Sequence, residues 1–256
     1  MNGARVEILA DAAAVADRGA ALVADMLAAA LRARATAHVA LTGGSTAPLL
    51  QERLARPPLL EALDWPAVHL WWGDERFVIR DDPASNAGTA MRAPLPPALL
   101  HPIPAEEAIR AGRDAHWAAR HYAADLVSLL PVDAEGLPVF DLLLLGVGHD
   151  GHILSAFPGS PALADDAPVV LAVPAPTHVE PHLPRVTLSA RVVGAARSVL
   201  VMATGAAKAA VLAEIMGPER EVRRLPAQLA LLPRATWLLD AAAAAALPGP
   251  RAALGA

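Results

Sequence analysis

Short apolar runs alternate along the chain with longer stretches rich in alanine and leucine. Val6 to Leu9, His38 to Leu41, Val68 to Trp72, Phe140 to Leu145, Val169 to Val173, Ser198 to Ala203 and Thr236 to Leu239 have the length and composition of buried strands. Between them, Asp11 is placed to cap a helix running toward Arg34, and a second long helical segment covers Ala105 to Leu130. Both are rich in alanine, the strongest helix former. This alternation predicts an α/β fold in which helices cover a parallel sheet. The 24 prolines fall mostly between the elements, as at Pro94 to Pro104 and Pro174 to Pro184, and so punctuate them. No internal repeat is visible, and residues 1–256 read as a single domain whose last stretch, Leu247 to Ala256, has the composition of a frayed end.

Composition narrows the function. Hydrophobic residues make up 55% of the chain and charged residues 18%, enough apolar surface for a substantial core. The most apolar stretches are broken by Asp25 and Arg32 or preceded by Asp240, so no membrane span is expected. Glu7 and Asp11 stand where a signal peptide needs its apolar segment, which points to a cytoplasmic protein. There is no cysteine, and therefore no disulfide, thiolate metal site or thiol nucleophile. A net charge of −5 argues against a nucleic-acid partner, which requires a basic face. An anionic small molecule has to be held by local cations.

Four segments offer such chemistry. Leu41-Thr42-Gly43-Gly44-Ser45-Thr46 follows a strand and leads into a helical segment; its glycines let backbone N–H groups approach a ligand, in outline a phosphate cradle. The plainer alternative is a capped strand-to-helix turn. Trp71-Trp72-Gly73-Asp74-Glu75-Arg76 ends another strand, where open parallel sheets bind ligands; Arg76 suits a phosphate and Asp74 a hydroxyl or a catalytic group. Its alternative is a solvated loop with a local Glu75 and Arg76 pair.

The third segment, Gly146-Val147-Gly148-His149-Asp150-Gly151-His152, fits the dinucleotide pattern Gly-x-Gly-x-x-Gly. That reading fails on two counts. Asp150 would face a pyrophosphate, and the next strand ends in Pro174 instead of an acid for a ribose. The loop presents a carboxylate and an imidazole two residues apart, which suits acid/base work. His149 reads as an exposed loop histidine, and no companion cluster supplies a third ligand that would turn the histidines into a zinc site. The fourth segment joins Arg185-Val186-Thr187-Leu188-Ser189 with Thr204-Gly205-Ala206-Ala207-Lys208, in which Lys208 occupies the first turn of a helix. A cation there opposes the helix dipole and is better explained by an anionic ligand, with a snorkelling surface lysine as the alternative.

In this order the segments resemble the 6-phosphogluconolactonase family, within the group that includes glucosamine-6-phosphate deaminases. The resemblance runs from Leu41 to Asp240 and includes Asp74-Glu75-Arg76-Phe77-Val78 with Ser85-Asn86, and Phe157-Pro158-Gly159. It implies a Rossmann-like (NagB/RpiA-like), mostly parallel sheet with helices on both faces, no cofactor, and a small sugar-phosphate lactone as substrate. It implies a histidine base at His152 beside Asp150. Phosphate and sugar binding fall to Gly43, Gly44, Ser45, Thr46, Asp74, Arg76, Asn86, Arg185 and Lys208. Oligomeric state stays open between monomer and dimer. Deaminase relatives typically carry Asp-Glu-Tyr where this chain has Asp74-Glu75-Arg76, and Asn-Glu-Pro where it has Ala156-Phe157-Pro158, so the lactonase branch is expected. A non-catalytic sugar-phosphate sensor is the third reading; it would normally carry a DNA-binding segment, and the chain has no basic helix-turn-helix.

Overall fold

A computed structural model describes residues 3–44 and 46–248. The predicted glycine-loop residue Ser45 and residues 249–256 of the expected frayed tail lie outside the described residues.

Helix α1 (Ala12–Arg34) shows how local rules set an element. The Asp11 side chain accepts from the N–H of Ala14 at 2.9 Å, and the helix stops at Ala35, whose φ of 63° is left-handed. Val15, Gly19, Val23, Leu27 and Ala30 recur on one buried face. That face packs on a seven-stranded parallel sheet ordered β1-β10-β9-β6-β2-β3-β5. Its strands are β1 (Arg5–Leu9), β2 (Ala37–Leu41), β3 (Val68–Trp72), β5 (Leu99–His101), β6 (Leu142–Leu145), β9 (Val199–Ala203) and β10 (Ala235–Asp240). All five residues of β2 and of β9 are buried, as a sheet covered on both sides requires.

Side-chain alternation separates the two faces. Val39, Leu41 and Leu70 meet Val23 and Leu27 of α1 and Leu54 of α2 (Ala47–Leu54). On the opposite face, His38, His69, Trp71 and His101 form an aromatic row across β2, β3 and β5, covered by Tyr122 of α5 (Ala115–Leu129). The Tyr122 hydroxyl accepts from the N–H of Trp72 at 2.8 Å and donates to its carbonyl at 2.9 Å, closing the backbone groups of the strand end. No helix among the described residues is long and apolar enough to cross a membrane.

The fold departs from expectation in four places. Val170–Val173 (β7) does not join the parallel sheet; it pairs antiparallel with β8 (Arg185–Leu188), which pairs antiparallel with β4 (Asp74–Arg76). This small second sheet was hidden because β4 is three charged residues without apolar periodicity. β5 was hidden by its brevity among prolines. The helical stretch from Ala105 to Leu130 is two helices, α4 (Ala105–Arg110) and α5, broken at Gly112 with φ +63° and restarted by Asp114, which caps the N–H of Trp117. Lys208 ends a short 3₁₀ turn, Ala206–Lys208, directly before α7 (Ala209–Ile215).

The aromatic row also sets a pH limit. Burial, reinforced by the neighbouring His69, lowers the His38 imidazole to about 4. The folded chain therefore holds His38 neutral where an unfolded chain protonates it, so this stabilisation is complete above about pH 6.5 and lost as the pH falls toward 4. Urea midpoints should fall across that window, by up to about 3 kcal/mol of stability for this group. His38→Gln should make the dependence shallower by about one proton taken up on unfolding; equal slopes for the two proteins would contradict the assignment.

Candidate active site

The chain leaves β2 toward β3 on one side and returns to β6 on the other, so the tips of β2 and β6 mark a topological switch point. There the Thr42 hydroxyl accepts from the N–H of Gly146 at 3.2 Å, bringing the loop after β2 against the loop after β6. A Cβ at Gly43 would lie 2.2 Å from Asn86 Oδ1, so only glycine fits there. Thr46 is not among the residues lining the cavity; its hydroxyl sits 3.2 Å from that of Thr204, on the strand end that leads to Lys208.

Gly73 carries the chain from β3 into β4. Glu75 is not in a solvated loop; it is 2% exposed, and it accepts from the backbone N–H groups of Arg76, Asn86 and Ala87, each at 2.7 Å, and from the Ser85 hydroxyl at 3.0 Å. Burial pushes its carboxyl up against the pull of these bonds. Glu75 thereby pins the start of α3 (Asn86–Arg92) and aims Asn86, whose Nδ2 donates to the Asp74 carbonyl at 3.0 Å. The Asp74 carboxylate accepts from Ser155 Oγ at 2.5 Å.

Arg76 and Arg185 are cross-strand partners on β4 and β8. Arg76 donates from Nη1 to the Ala84 carbonyl at 2.5 Å, and its buried Nε meets no acceptor. Arg185 is 3% exposed and bonds the Leu183 and Pro181 carbonyls; burial and then the charge of Arg76 lower its pKa. Lys208 follows β9 through Gly205, whose N–H is held by the Asp240 carboxylate at 3.0 Å, and burial lowers its ammonium too. Among the described residues none of these three cations makes an ion pair.

The loop after β6 closes on itself: Gly151 N–H donates to the Gly148 carbonyl at 3.1 Å and Gly148 N–H to the His152 carbonyl at 2.8 Å. No helix begins there, so the dinucleotide-like glycines lack the helix terminus that such a cofactor requires. His152 Nδ1 lies 2.5 Å from Asp150 Oδ1. Burial raises the Asp150 carboxyl, but the bonds with His152 and His178 outweigh it and hold the group well below the usual carboxylate range. An ionised Asp150 only accepts, so His152 donates to it from Nδ1, and Nε2 is the ring nitrogen left for a ligand. A Cβ at Gly148 would fall 2.0 Å from His152 Nδ1. His149 is exposed at the rim of the cavity, as expected. Among the described residues no group of three or more histidine or acidic side chains is placed to hold a metal.

One cavity of about 230 Å³ collects these parts. It is lined by Gly43, Gly44, Asp74, Arg76, Asn86, His152, Arg185 and Lys208, while Asp150 stands behind His152, outside the lining. Its volume lies below that of clefts for drug-sized ligands and suits a single sugar ring. Sequence reading missed Ser155, the Phe157 ring 4.7 Å from His152, and the structural role of Glu75.

Residues 10–239 match the family model described as glucosamine-6-phosphate isomerases/6-phosphogluconolactonase. The chain belongs to this family. It is 34% identical to the 6-phosphogluconolactonase of a Synechocystis species, over 92% of this chain and 95% of that one. It is 35% identical to that of Mycobacterium leprae, over 96% and 99%. The solved 6-phosphogluconolactonase of Trypanosoma cruzi superposes with a TM-score of 0.84 at 28% identity, over 94% of this chain and 96% of that one. A monomeric glucosamine-6-phosphate deaminase at 20% identity, with a TM-score of 0.76, shares the fold of the family.

The Gly148 contact yields a direct test. Gly148→Ala should still fold, but a solved structure should show His152 displaced and its Nδ1 bond to Asp150 broken. A retained bond would mean that the loop yields more easily than this packing implies.

Proposed function

We propose that the chain hydrolyses 6-phospho-D-glucono-1,5-lactone to 6-phosphogluconate. The observation that carries this reading is the joining, in one cavity, of three cations without ion-pair partners among the described residues and an imidazole whose Nδ1 is tied to Asp150, leaving Nε2 for the ligand. Arg76, Arg185 and Lys208 supply the positive field for a phosphate dianion. Gly43 and Gly44 bring backbone close to it, and Asp74 and Asn86 face the sugar hydroxyls. Binding energy from the phosphate holds the ring against His152.

In this mechanism His152 Nε2 takes a proton from water as the oxygen attacks the lactone carbonyl carbon. A tetrahedral intermediate forms and collapses by breaking the bond from the acyl carbon to the ring oxygen. The imidazolium returns its proton to that oxygen, leaving the carboxylic acid, which ionises, and a free hydroxyl. Asp150 fixes the tautomer and faces the imidazolium while it exists. The aromatic ring of Phe157 stands beside His152 where a deaminase reading requires a second acid/base carboxylate, and Glu75 is spent on backbone N–H groups.

Steady-state kinetics on freshly made lactone, corrected for spontaneous opening, separate the two roles. His152→Ala should lower kcat by about 100-fold or more, while Lys208→Gln should act mainly by raising KM. A His152→Ala enzyme with near-normal kcat, or a Lys208→Gln enzyme with unchanged KM, would contradict the corresponding assignment.

A further inference from the structure

The Asp150 carboxylate has a second imidazole. Oδ1 serves His152, and His178 Nε2 lies 2.9 Å from Oδ2. His178 comes from the loop between β7 and β8, residues 174–184, about as far along the chain as a whole helix from the loop it touches. It does not line the cavity, although its neighbours Val179 and Glu180 and the Phe157 ring it touches do. Its ring also meets Phe157 edge-on, with centroids 5.9 Å apart, and Phe157 in turn packs on His152. The loop that presents it is held from within: His182 Nδ1 is 2.7 Å from the Pro176 carbonyl, and Arg185 Nη2 donates to the Pro181 carbonyl at 2.7 Å.

We propose that His178 is a positioning residue for the reaction, locking the Asp150 carboxylate so that His152 presents Nε2 to the substrate in a single tautomer and orientation. The geometry supplies the reason. Oδ1 meets only donors of His152, its Nδ1 at 2.5 Å and its backbone N–H at 3.2 Å, so that end moves with the loop that bears the base; the donor at Oδ2 comes from a second loop and fixes the carboxylate from both sides. Because Asp150 is ionised, His178 must donate to it from Nε2. The same contact ties the 174–184 loop, with Val179 and Glu180 on the cavity wall, to the loop that bears the base. The kinetic part of this proposal rests on the lactonase reading; the tautomer part does not.

Two variants test it. His178→Phe keeps a ring against Phe157 and removes the donor; His178→Gln restores an N–H donor. For His178→Phe the expected result is a kcat about tenfold lower, the scale of one hydrogen bond to a charged group, with KM changed by less than about twofold. His178→Gln should recover most of the lost kcat. Proton–nitrogen correlation spectra of ¹⁵N-histidine-labelled protein, with His152 identified by its absence from His152→Gln, should show one Nδ1-protonated tautomer for His152 in the unaltered chain and a mixture in His178→Phe. Unchanged kcat with an unchanged tautomer would overturn the proposal, as would a loss confined to KM or a His178→Gln variant no better than His178→Phe. Should the unaltered chain fail to open the lactone, the functional reading falls, while the substrate-free spectra still decide the role of His178.

Discussion

Three cations lining one cavity without an ion pair among the described residues are a costly arrangement for a folded chain. Burial and mutual repulsion lower Arg185, burial lowers Lys208, and Arg76 keeps a buried Nε with no acceptor. The nearby carboxylates offset the burial only in part, because each is engaged by other donors. Glu75 is consumed by three backbone N–H groups, Asp74 by Ser155 and Asn86, and Asp150 by two imidazoles.

Each of these placements depends on the switch point between β2 and β6. The bond from Gly146 N–H to the Thr42 hydroxyl brings the glycine loop and the histidine loop together, and the small antiparallel sheet carries Arg76 and Arg185 over them. Close approach demands glycine at two positions. At Gly43 the obstacle to a side chain is Asn86, and at Gly148 it is His152 itself. Gly148, the middle glycine of the dinucleotide-like pattern, makes room for the His152 ring, so that pattern has a packing reason of its own.

Much of this was legible in the chain. The apolar runs of β2, β3, β6, β9 and β10 and the cap of α1 stand out because burial on both faces and a side-chain cap leave strong local patterns. β4, β5 and β8 do not, since three or four residues carry no period and their pairing is decided by distant partners. Within the site, the ordered motifs pointed to Asp150, His152, Arg76, Asn86 and Lys208, all of which line the cavity or support a residue that does. The contact of Thr46 with Thr204 carries no sequence signal, since a hydroxyl after two glycines reads alike whether it faces a ligand or another side chain. Ser155 and His178 carry no motif at all; one sits in a turn and the other in a proline-rich connection, and only the fold brings them to Asp74 and Asp150.

A crystal structure with 6-phosphogluconate bound measures directly how a sugar acid is oriented within the cavity. The expected result is a phosphate in contact with at least two of Arg76, Arg185 and Lys208, and a carboxylate within about 3 Å of His152 Nε2 or one water away from it. A phosphate bound on the His152 side, or product lodged outside this cavity, would contradict it.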